Sequence, residues 1–148
     1  MTLFQKRAWL ELGLFLAASV ALVIALVTSG LAGYEQNEGM RQLVAIVFAA
    51  VAVVYALGIW LFRRQLGRTG IVADERDRRI VIRARATQLG AVILALAAWT
   101  IALTEYYWDA GSVPVGVLYP IFLSVILVMG LAGAVAVLVG YHRATPDV

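Results

Sequence analysis

The sequence has no cysteine, one histidine and only 14% charged residues. Without cysteine, a disulfide framework, a thiolate metal site and a cysteine nucleophile are all excluded. His142 alone cannot build a metal centre, because such centres take several convergent ligands, and any haem would have to hang on it alone. G-x-x-x-x-G-K-[ST], H-E-x-x-H and a paired nucleophile and base are also missing. No catalytic residue is assigned, and no cofactor or metal is expected.

What the sequence has instead is apolar surface. Hydrophobic residues fill 63% of the 148 positions, against about 45–50% in ordinary soluble domains. A water-soluble domain of this size could not hide so much. A bilayer core about 30 Å thick is crossed by roughly 20 apolar residues in a helix, and four runs approach that length: residues 12–34, 43–62, 89–108 and 115–141. The third is completed by Tyr106, Tyr107 and Trp108, rings suited to the membrane interface. The first follows Lys6 and Arg7 but outruns the roughly 7–15 apolar residues of a secretory signal, so it reads as a retained span. The expected fold class is therefore all-α, an integral membrane four-helix bundle forming one transmembrane domain over residues 1–148.

Arginine and lysine in short loops stay on the cytoplasmic side of a membrane. Lys6, Arg7, Arg63, Arg64, Arg68, Arg76, Arg78, Arg79, Arg83, Arg85 and Arg143 fall on one side of a four-span layout, and Arg41 falls on the other. This places the protein in the cell membrane with both termini inside, an N-in/C-in topology, and puts the loops 35–41 and 105–114 outside.

The inner loop, residues 63–88, has room for structure. Gly67, Thr69 and Gly70 are expected to interrupt the second helix after Arg63 and Arg64. Asp74 is a good N-cap, with Glu75 and Asp77 in the first turn where negative charge suits the helix dipole. No glycine or proline follows until Gly90, so the third helix should extend out of the membrane into the cytoplasm. Asp74 to Trp108 would then measure about 52 Å. Asp74 and Arg78, and Glu75 and Arg79, are spaced for i,i+4 ion pairs. Arg76, Arg79 and Arg83 repeat at near-helical spacing, a stripe expected to point away from Ile80 and Ala84. Asp74, Glu75, Arg76, Arg79, Ile80 and Arg83 are thus candidates for contact with a membrane or cytoplasmic protein, or with anionic headgroups at about 1 kcal/mol per basic residue. The plainer duty of these arginines is to fix topology.

The same stretch, D-E-R-D-R-R-I-V-I-R-A-R-A, resembles the Asp-Glu-Arg-x-x-x-Ile signature of a family of small four-span bacterial and archaeal membrane proteins with no assigned function. Asp74, Glu75, Arg76 and Ile80 carry the match, just before a span as in that family. The resemblance implies a membrane protein working beside a regulator or transporter, and it supplies no catalytic residue.

A rival reading is a small oligomeric transporter or channel lined by Glu11, Gln88 and Glu105. None of the apolar cores holds a charge; Glu11 lies at the inner edge of the first span and Glu105 at the outer edge of the third. Small four-span multidrug exporters carry a first-helix glutamate near mid-membrane, but A-W-L-E-L-G-L-F around Glu11 does not reproduce their pattern. Small residues recur at four-residue spacing, as in Gly13, Ala17, Ala21 and Ala25, in Ala45 and Ala49 then Ala52 and Ala56, and in Gly130 and Ala134 beside Ala132, Ala136 and Gly140. Such faces allow close helix approach, within the bundle or in a homodimer through the fourth span. Pro120, about one turn into that span, is tolerated there. The function expected is that of a non-enzymatic accessory or regulatory protein, its partners being the lipid bilayer, a second copy or another protein, with no nucleic acid. The topology is directly testable: reporters fused after Phe62 and after Val148 should read cytoplasmic, and one inserted at Asn37 external. A cytoplasmic reading at Asn37 overturns the layout.

Overall fold

A computed structural model describes residues 2–69 and 74–143, with residues 29, 31–36 and 66–69 described by their backbone alone. The described chain is all-helical, with α1 (Leu3–Gln36), α2 (Glu38–Thr69), α3 (Glu75–Tyr107) and α4 (Val115–Arg143). All four are long and apolar enough to cross a membrane.

Short polar side chains set the helix starts. Thr2 and Gln5 form a capping box: the Gln5 amide donates to the Thr2 hydroxyl at 3.2 Å, and the Thr2 amide donates to the Gln5 side chain at 2.9 Å. Asn37 accepts from the Met40 amide at 3.1 Å and starts α2. It is the one non-helical residue between α1 and α2, so the expected loop 35–41 is almost entirely helix. The break lies earlier, at Gly30, whose φ of 66° and ψ of 168° interrupt α1; only glycine adopts that region readily. Gly67 does not end α2, which continues to Thr69, because one glycine costs a helix only about 1 kcal/mol. Gly70 lies outside the described residues. Asp74 caps α3 as expected, accepting from the Glu75 amide at 2.6 Å. The 33 residues of α3 then run unbroken for about 50 Å. Gly111, at φ 65°, turns the chain towards α4.

In space the helices follow the order α2, α1, α4, α3: α1 packs on α2 and α4, and α4 packs on α1 and α3. Neighbours are antiparallel, and α2 and α3 form the two edges. The core is a 3-4-3 stripe on α1, Phe15, Ala18, Leu22 and Ala25, meeting Val44 of α2 and Leu123 and Leu127 of α4. Outward-facing positions are apolar as well, with Leu94 72% and Val27 79% exposed.

Glycines of α4 allow its neighbours to come close. A Cβ at Gly130 would lie 2.5 Å from the Phe15 ring, one at Gly133 would overlap Gln88 Nε2, and one at Gly140 would lie 2.7 Å from Ile80 Cγ2. Gly130, Gly140 and the buried Ala134 are therefore engaged within the chain, whereas Ala45, Ala49, Ala52 and Ala56 of α2 are exposed. Hydroxyls inside the apolar helices are satisfied locally, as where Ser19 donates to the Phe15 carbonyl at 2.8 Å and Thr100 to that of Leu96 at 2.8 Å. Other side chains bond across helices: the Trp99 indole donates to Ser124 at 2.8 Å, and Ser124 donates onward to the Ile121 carbonyl at 2.7 Å.

The buried Phe15 ring has little room to retreat, and overpacking a filled core costs about 1–3 kcal/mol. Gly130→Ala should lower the unfolding free energy in detergent by about that amount. Gly13→Ala, where a Cβ meets nothing within 4 Å, should leave it unchanged or slightly raised.

Candidate functional site

The starts of α1 and α3 and the ends of α2 and α4 meet at one end of the molecule. Every described lysine and arginine except Arg41 lies in that half. Aromatic rings hold the first two helices together there: Phe4 and Phe62 meet edge to face at 5.2 Å, and the Arg7 guanidinium lies 5.0 Å from the centre of the Phe62 ring. Arg7 also bonds Glu11 at 2.7 Å. A second tie joins three helices. The buried Tyr141 of α4 donates a short hydrogen bond to Asp77 of α3, and the Thr2 side chain at the start of α1 bonds the same phenol.

Two openings flank α3 in this half. The first is a groove of about 710 Å³ between α3 and α4, lined by Arg76, Arg79, Ile80, Arg83, Ala84 and Thr87 on one side and Ala132, Val135, Ala136, Val139, Gly140 and Arg143 on the other. Ile80 and Ala84 are buried on α4, and Arg76, Arg79 and Arg83 line the same groove instead of pointing away from them. The reason lies in the register: residues 76, 80, 83, 84 and 87 are three or four apart and share one side of a helix, and Gly140 draws that side onto α4.

Of the candidate residues in this stretch, the acidic ones have local duties. Asp74 is the N-cap, and Glu75 pairs with Arg79 at 2.8 Å. That pair is largely exposed and contributes little to stability. The expected pair of Asp74 and Arg78 does not form; among the described residues the ion pairs are Arg7–Glu11 and Arg79–Glu75. Arg76, Arg83 and Arg143 therefore meet the groove without an ion-pair partner among those residues.

The second opening, about 300 Å³, lies on the other side of α3 and is lined from all four helices, by Arg7 and Glu11, by Tyr55, by Arg85 and Gln88, and by Gly133 and Val137. It unites two of the three transport candidates. Gln88 lies over Gly133 and donates to the Met129 carbonyl at 3.1 Å. Glu11 is held by Arg7, which competes with any cation for the carboxylate. Glu105 stands apart, exposed in the last turn of α3 at the opposite end.

Sequence reasoning did not single out Thr2, Tyr55, Arg85, Trp99, Ser124 or Gly133 as site or contact residues, and it gave Tyr141 and Asp77 no partner. Trp99 and Ser124 carry a usable signal, since each is a hydrogen-bonding side chain inside an apolar run. Thr2 and Gln5 carry another in the capping-box spacing. Nothing in a single sequence pairs Tyr141 with Asp77. No protein family, curated protein or solved structure matches this chain.

A hydrogen bond to a charged group contributes about 1.5–3 kcal/mol. Tyr141→Phe should destabilise the protein by about that amount, measured as a loss of thermal midpoint in detergent. Asp77→Asn added to Tyr141→Phe should cost little more, whereas additive losses would show that the two residues act separately.

Proposed function

We propose that this chain is a multi-pass membrane protein of the cell membrane, with both ends in the cytoplasm. It acts as a non-enzymatic accessory or regulatory protein that presents the basic first half of α3 to an acidic surface, either anionic lipid headgroups or an acidic partner protein. The observation that carries the reading is the convergence of Arg76, Arg79, Arg83 and Arg143, from two helices, on one groove. A guanidinium binds phosphate and carboxylate through a planar fork of donors, and four at one site outweigh the single carboxylate of Glu75. The positive-inside rule places this end at the cytoplasmic leaflet, where anionic lipids attract each basic residue by about 1 kcal/mol. Helix α3 is longer than the hydrocarbon is thick by roughly 20 Å, enough to carry the arginines into the headgroups and beyond. The resemblance of Asp74, Glu75, Arg76 and Ile80 to the signature of small four-span membrane proteins fits an accessory role.

The alternative, a small oligomeric transporter or channel, draws on the shared cleft of Glu11 and Gln88. It must supply a route from there to the far end, and the Arg7 pair already neutralises its acid. Flux in reconstituted vesicles that vanishes with Glu11→Gln would favour it.

The accessory reading is tested by purifying the full chain in mild detergent and weighing it intact with whatever stays bound. Arg76→Ala with Arg79→Ala should weaken retention of anionic lipid or of a co-purifying polypeptide by roughly 30-fold, two contacts at about 1 kcal/mol each, with insertion unchanged. A double variant that keeps every bound species overturns the proposal.

A further inference from the structure

The cleft on the far side of α3 has a composition unlike the arginine groove. Arg7 and Glu11 form an ion pair across its wall at 2.7 Å, so their charges cancel. Arg85 lines the same space, and no carboxylate pairs with it among the described residues. Glu11 is the only acid among the described residues of the lining, whose charges sum to one net positive charge. The Tyr55 hydroxyl and the Gln88 amide add polar atoms, while Phe4, Ala8, Val81, Ala84 and Val137 make the remaining walls apolar.

The cleft also has an exit. Its walls include Tyr55 of α2 and Arg85 of α3, yet these two edge helices do not pack on one another as the other neighbours do. Helix packing does not close the space between them, and each of the two helices carries exposed apolar residues, Leu57 on α2 and Leu89 on α3 among them. A volume of about 300 Å³ lies at the lower end of ligand sites, which span about 300–1,000 Å³. It suits a headgroup and the first part of a chain rather than a whole lipid.

From this we infer that the cleft binds one single-chain anionic amphiphile, its carboxylate or phosphate head on Arg85 and its tail leaving between α2 and α3. Arg85 is exposed where it lines the cleft and has no carboxylate partner among the described residues, so its guanidinium is open to an anion there. A planar fork of donors receives either head in a bidentate pair. The Arg7–Glu11 pair occupies the one acid that could otherwise neutralise Arg85. This site is independent of the acidic-surface reading and uses none of its arginines, since Arg76, Arg79 and Arg83 line the opposite opening.

The test is a titration of the purified full chain in nonionic detergent, read by intact mass, with oleate, oleoyl-lysophosphatidate and the uncharged monooleoylglycerol. One molecule per chain of either or both anionic probes should bind, in preference to the uncharged one. Binding of oleate alone identifies a carboxylate ligand, and binding of the phosphate probe alone identifies a lysolipid. Arg85→Gln should weaken binding at least about fivefold, the loss of roughly one basic contact. Arg85→Lys should restore only part of it, returning the charge but not the planar fork, and Arg76→Ala with Arg79→Ala should leave it unchanged. Equal binding of the uncharged probe, no binding of either anion, or full binding by a folded Arg85→Gln protein overturns the inference. So does a loss caused by the groove variants but not by Arg85→Gln, which would move the ligand to the groove while leaving the acidic-surface reading intact.

Discussion

Among apolar helices in an apolar medium there is no hydrophobic gain in meeting, so association depends on how closely surfaces fit. In this chain the fit is governed by the absence of a Cβ at three places on α4. Gly130 accepts the Phe15 ring of α1, and Gly133 and Gly140 accept Gln88 and Ile80 of α3. The rest of the basic end follows from these contacts. With Ile80 seated, the ridge bearing Arg76 and Arg83 lies along α4. With Gln88 seated, its amide reaches the Met129 carbonyl, and Arg85 is turned to the opposite side.

The choice of arginine over lysine has a physical logic as well. Arg7 bonds Glu11 in the plane of its guanidinium while the same group lies on the Phe62 ring, and Arg64 lies 5.3 Å from the centre of the Trp60 ring. An ammonium has no plane with which to do both. The basic residues thus help to pack the helix ends, in addition to any duty at a membrane surface.

Much of this architecture was legible in the sequence and some of it was not, for identifiable reasons. The four helices are announced by charge-free runs, and the start of α3 by Asp74 followed by acidic residues. The spatial order α2, α1, α4, α3 is not announced, because helices that are apolar all round give periodicity no face to report. The arginine stripe was legible as a stripe, but its direction depended on Gly140, which belongs to another helix. Glu11 and Gln88 were recognised one by one as polar residues at span edges. Their meeting in one cleft required the packing of all four helices. The hydrogen bond between Tyr141 and Asp77 joins positions far apart in the chain, and neither residue taken alone implies the other.

The helix order has a consequence for how the molecule is made. A chain emerges from its N-terminus, so α1 and α2 can pair as soon as both exist. Helix α3 precedes α4 in the chain, yet the surface that receives it, around Gly133 and Gly140, belongs to α4 and is synthesised after it. Through the interval α3 has no seat and must persist on its own apolar length. Its docking therefore waits until α4 has been made, and the groove and the cleft, each with a wall from α3 and a wall from α4, come into being together.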